Sequence, residues 1–160
     1  MSKQENSSQL PFGEIKIAKN PVGFKKPKPK KHEEKLQLSV AKYVRVAYPG
    51  VIFNSDFASG MRMNMGQAMI AKMMRSESGQ PDLTILEPRG KYAGMCLELK
   101  RDKSEVYLVD GVTLKKDEHV HKQSKMLKRL REKGYWANFV CGIDDAVHVI
   151  DEYMKLSPRQ

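Results

Sequence analysis

The twenty residues PDLTILEPRGKYAGMCLELK, positions 81–100, constrain the fold more tightly than any other part of the chain. Two β-rich runs, 81–87 and 92–100, flank PRGK, a turn signal, and together predict a hairpin. In the second run, side chains alternate between faces: Ala93, Met95, Leu97 and Leu99 on one, Gly94, Cys96, Glu98 and Lys100 on the other. The apolar face has to meet a core, so the hairpin requires other layers around it. On the opposite face Glu98 and Lys100 sit side by side, where the first strand opens on Asp82. Carboxylates at facing ends of neighbouring antiparallel strands approach closely across the ladder and repel unless a cation joins them. Hard oxygen ligands of this kind suit magnesium or manganese, and an ammonium two residues along is placed to hold a water or a developing phosphate charge. A solvated Glu/Lys strand pair and a plain strand-entry Asp after Pro81 explain the same residues. D…ExK is short and degenerate, and spacing alone leaves both readings open.

The rest of the chain supplies the layers. Leu36, Val40, Tyr43, Val44 and Ala47 recur at helical steps from His32 until Pro49-Gly50 ends the run, and 51–53 reads as a short strand. Six of the ten Met crowd into 61–74, and Met65, Met69 and Met73 share one face of a helix expected over 66–75. That stripe reads as core or subunit packing, and as the place to seek a dimer interface. Two short β segments are expected around Asp110-Gly111, at 105–109 and 112–114. A basic amphipathic helix is expected over 119–133, stopped by Gly134, then a strand over 135–141 and a last helix with Asp144 as its N-cap. The order predicts an α/β fold, a mixed sheet flanked by helices.

Charge divides the chain. It carries 29 Lys+Arg against 19 Asp+Glu, formally +10. Eight Lys and two Glu lie in residues 1–31, a net of +6, in a segment ending FKKPKPKK that cannot cover a core. Residues 1–31 therefore read as a disordered basic arm and 32–160 as the folded domain. The arm, with Lys30 and Lys31 at its end, suits phosphate gripping, and equally a solubilising tail or localisation signal. Cys96 and Cys141 show no metal-ligand or disulfide spacing. The four His make no ligand set, and no Ser/His/Asp triad, P-loop or Rossmann glycine pattern is present. No stretch reaches the roughly 20 apolar residues of a bilayer span, and MSKQENSSQ offers no signal-peptide core, so the expectation is a soluble intracellular protein without a membrane partner.

GQPD at 79–82, ELK at 98–100 and Gln123 opening the helix QSKMLKRLREKG together resemble the VRR-Nuc branch of the PD-(D/E)xK nucleases, particularly its small stand-alone viral and bacterial members. The resemblance spans about residues 33–152. It implies a restriction-endonuclease-like core that hydrolyses phosphodiester bonds with Mg²⁺ or Mn²⁺, Asp82 and Glu98 as metal ligands, the Leu99 carbonyl as a third, and Lys100 positioning the attacking water. A first-helix Glu completes such sites. Glu33 shares the inward stripe with Leu36, Val40 and Val44, whereas Glu34 turns outward. Gln123 falls inward, before Met126, Leu127 and Leu130, and would belong to the active-site surface. Lys122, Lys125, Lys128 and Arg129 line the helix's outer face and suit phosphate contacts or simple solvation. The resemblance further implies branched-DNA substrates such as Holliday junctions, action as a homodimer, and a cytoplasmic setting in a bacterium or virus-infected host cell. A non-catalytic nucleic-acid-binding module on a nuclease core is the competing reading, as is an interaction protein whose arm binds an acidic partner. Retention of Asp82, Glu98 and Lys100 together argues against a decayed site.

Overall fold

The computed structural model describes residues 31–56, 64–74, 77 and 79–159. Helix α1 (Lys31–Ala47) comes first, then strand β1 (Phe53–Ser55), helix α2 (Met65–Met74), strands β2 (Leu83–Ile85) and β3 (Met95–Lys100), helix α3 (Glu118–Glu132), strand β4 (Trp136–Cys141) and helix α4 (Ile143–Met154). The strands form one sheet in the order β1-β2-β3-β4, antiparallel between β1, β2 and β3 and parallel between β3 and β4. This is the mixed α/β sheet with flanking helices that the element order predicts.

Helices cover both faces. Val40 and Val44 of α1 and Ala146, Ile150 and Tyr153 of α4 pack on Leu83, Ile85, Met95, Leu97, Leu99 and Val140. Each fully buried aliphatic side chain of this set contributes about 1.5–3 kcal/mol of transfer free energy. On the other face Leu127 of α3 packs on Cys96 and Ala137. With a helix on each side, β3 is buried along its first five residues, the polar Glu98 among them. Tyr43 and Tyr48 donate to the Asp151 carboxylate, the latter at 2.7 Å, and tie α1 to α4. Those bonds lower the acid's pKa.

β4 is an edge strand, and its edge is closed at one point. The Trp136 N–H donates to the Gly94 carbonyl at 2.9 Å; alternation then turns the Ala137 carbonyl away from β3. That carbonyl accepts from Arg131 at 2.5 Å. With the Asn138 amide turned to satisfy both its ends, it also accepts from Asn138 at 2.9 Å, while the Asn138 oxygen accepts from the Trp136 indole N–H.

Several local expectations need correction. The first strand lies at Phe53–Ser55 rather than 51–53, because a three-residue apolar run has no period to fix its register. Around Asp110-Gly111 there is a single bridge, Tyr107 to Leu114, after a 3₁₀ turn at Lys103–Glu105. The Asp110 carboxylate accepts from Val112 and Thr113 N–H at 3.0 and 2.9 Å, which closes the turn without extending a ladder. Gly142, not Asp144, is the N-cap of α4, and the Asp145 carboxylate accepts from the Cys141 N–H at 2.7 Å. The Met stripe is no part of this chain's core: Met65, Met69 and Met73 are 92%, 66% and 77% exposed. Periodicity identifies residues that share a face, but a covering partner is a separate matter. Residues 1–30, with Lys30, lie outside the described residues, as do Met61 and Met63. Lys31 opens α1, its side chain outside what is described.

Candidate active site

The carboxylates meet where the β2–β3 ladder stops. Pairing runs Ile85 with Met95, Thr84 with Cys96 and Leu83 with Leu97. One more step places Asp82 opposite Glu98, but Pro81 has no N–H to continue the ladder. The Asp82 side chain takes over, its Oδ2 accepting from the Leu99 N–H at 2.9 Å. The Asp82 backbone carbonyl accepts from the Asp56 N–H at 2.9 Å and from Gln37 Nε2 at 3.2 Å. Asp82 is thereby fixed by β1, β3 and α1 together.

Glu98 is 2% exposed. Its Oε1 accepts from Lys100 Nζ at 3.2 Å and from Gln123 Nε2. Burial, then the adjacent Asp82 carboxylate, push its pKa up to about 8, against the pull of Lys100. Gln123 is itself buried, in the first half of α3. The loop before Asp82 packs on that helix: Gly79 has φ +84, and a Cβ there would come within 3.4 Å of the Lys122 carbonyl. Glycine alone takes this conformation cheaply, so Gly79 lets the GQPD turn lie against the helix that carries Gln123.

Two buried acceptors here have no donor, Glu98 Oε2 and Gln123 Oε1. Orphaned buried acceptors cost about 1–3 kcal/mol each. Beside a second carboxylate they form an oxygen-rich pocket that fits a hard divalent cation with part of its water shell. Among the described residues no three His, Cys, Asp or Glu cluster as metal ligands; the donor set is the two carboxylates with neighbouring amide and carbonyl oxygens. Glu33 lies in α1, four residues before Gln37, its side chain outside the described residues, and Glu34 is half-buried.

The structure thus brings Asp82, Glu98, Leu99, Lys100 and Gln123 together. On the outer face of α3, Lys122, Lys125 and Lys128 are exposed. Lys122 pairs with Glu118 at 2.6 Å, and Arg129 pairs with Glu77; both are exposed pairs that a phosphate can displace. Sequence reasoning missed Gln37. Its signal is faint: a polar residue three before Val40 and seven before Val44, on the buried stripe.

No family model matches the chain, and no curated protein matches it. The described residues form an α/β fold, a mixed sheet with helices on both faces and an acid pair at one ladder end. Among solved structures the chain is similar to a VRR_NUC domain protein, at 26% identity and a TM-score of 0.52, covering 79% of this chain and 90% of that one. The fold is that of the VRR-Nuc branch. No helix among the described residues is long and apolar enough to cross a membrane.

Proposed function

We propose that the chain is a divalent-metal-dependent endonuclease of branched DNA, Holliday junctions included, acting as a homodimer. The observation that carries the reading is the Asp82–Glu98 pair with its orphaned acceptor, flanked by Lys100 and Gln123. Asp82 and Glu98 would hold Mg²⁺ or Mn²⁺, with the Leu99 carbonyl beside them and Glu33 as the first-helix acid. Bound there, the cation supplies charge neutralisation at a phosphate and a more acidic water.

The chain's own groups do the rest. The Leu99 N–H fixes one Asp82 oxygen and thereby aims the other. Gln123 and Lys100 occupy Glu98 Oε1, which leaves Oε2 as the open ligand atom. The Lys100 ammonium, 13% exposed, holds and orients the attacking water and counters charge on the phosphate. Lys122, Lys125 and Lys128 on α3, with Lys30 of the basic arm and Lys31 at the start of α1, bring the backbone in by counterion release.

The test is cleavage of four-way, flapped and linear DNA in Mg²⁺ or Mn²⁺, against EDTA and Asp82→Ala. Cutting of branched substrates that both controls abolish is expected. Intact DNA in either metal would overturn the enzyme reading and favour a binding module.

A further inference from the structure

Away from the carboxylates, at the start of β4, lies a groove of about 440 Å³ lined by Lys91, Tyr92, Arg131, Tyr135, Trp136 and Asn138. Its volume falls within the usual range of small-ligand sites. Three aromatic residues and two cations line this one concavity. Trp136 is the chain's sole tryptophan, and it is held edge-on by Tyr92 and Tyr153 at ring separations of 5.1 and 5.8 Å. Lys91 lies 5.4 Å from the Tyr92 ring centre. Arg131 is fixed by its bond to the Ala137 carbonyl. The groove is therefore preorganised rather than a gap between loose side chains.

Its placement relative to the acid pair is set by two elements. Trp136 pairs with Met95, three residues before Glu98 on β3, roughly 10 Å along the strand, and lies with Met95 on the sheet face opposite Glu98, so the groove meets the carboxylate face only around the β4 margin, where Arg131 lines it. On α3, Arg131 follows Gln123 by eight residues, roughly 12 Å along the helix, with Lys125 and Lys128 between them. One basic helix thus leads from the carboxylates to an aromatic, cationic groove. Ring faces for bases and cations for phosphates are the elements by which proteins hold unpaired nucleic acid without reading its sequence.

We propose that this groove, at the β4 margin, binds an unpaired nucleotide of the substrate strand. The proposal deepens the nuclease reading and rests on it: a site for a splayed base would favour branched or flapped DNA over continuous duplex.

The test uses the full chain in EDTA and a single-stranded hexathymidylate probe carrying one 5-iodouracil. Ultraviolet crosslinks mapped by mass spectrometry should fall on Tyr92, Tyr135 or Trp136. Lys91→Glu, an exposed change, should lower crosslink yield and weaken probe affinity about five- to tenfold, whereas Lys42→Glu on the outer face of α1 should leave both unchanged. Crosslinks confined to other residues, or equal losses in the two variants, would overturn the groove. The same preparation assayed for cleavage in Mn²⁺ separates the readings: cutting without groove crosslinks removes only the groove. Groove crosslinks without cutting remove the nuclease reading and keep the groove as a nucleotide site.

Discussion

Replacing Glu98 with Gln isolates the electrostatic cost of the site. In metal-free protein this carboxyl is carried from 4.5 to about 8 by burial and by Asp82. The folded form therefore keeps a proton that the unfolded form releases. Its contribution to stability is fully present below pH 4.5 and is lost as pH rises toward 8, with nothing further lost above that. Each pH unit inside the window corresponds to about 1.4 kcal/mol. Between pH 5.5 and 8.5 in EDTA, the wild-type protein should lose roughly 3 kcal/mol that Glu98→Gln retains, because the amide has the same shape and no proton to give up. Groups lowered in both proteins, such as Asp117 and Asp151, cancel in the comparison. Urea unfolding followed by circular dichroism at pH 5.5, 7.0 and 8.5 measures the gap. It should widen with pH, the variant becoming the more stable protein at the alkaline end. Parallel curves would show that Glu98 titrates as a solvated acid, and the dry, acid-paired site would be refuted. Adding Mn²⁺ at pH 8.5 should stabilise wild type and leave the variant nearly unmoved.

Three further outcomes are expected. Asp82→Ala leaves the Leu99 N–H without its acceptor and should cost about 1–3 kcal/mol in the same unfolding assay, whereas Asp82→Asn, which keeps an oxygen there, should cost less; both should abolish cleavage. Gln123→Leu removes the amide that holds Glu98 Oε1 and should lower single-turnover cleavage about 10–100-fold, with branched-DNA affinity in EDTA unchanged. Deleting residues 1–30, which carry seven Lys, should make the plot of log affinity against log salt shallower by up to about six; an unchanged slope would show that the arm touches no phosphate.

Much of the site was legible because one strand encodes it. Alternation along 93–100 puts Leu97 and Leu99 toward one layer and Glu98 and Lys100 toward the other, and the structure keeps that division. Gln123 was legible for the same kind of reason, a polar residue in phase with Met126 and Leu127. Gln37 was not, because its role depends on where the Asp82 carbonyl lies, a relation between α1 and β2 that no local period contains. The burial of Glu98 also depends on distant chain: only the docking of α3 separates a dry carboxylate from a solvated one. The Met stripe misled only as to this chain's core: the spacing on α2 was clear, and yet nothing among the described residues covers it.

The closed point on β4 has a consequence for the protein at high concentration or under heat. Open strand edges are where sheets recruit further strands, in fibrils and in swapped assemblies. Here an incoming strand would have to displace the Arg131 guanidinium and the Asn138 amide from the Ala137 carbonyl before it could pair. At the other side of the sheet, β1 offers only three residues, too short a template for stable pairing. Sheet extension is therefore opposed at the Ala137 carbonyl of β4 and, at the other margin of the described sheet, by the shortness of β1.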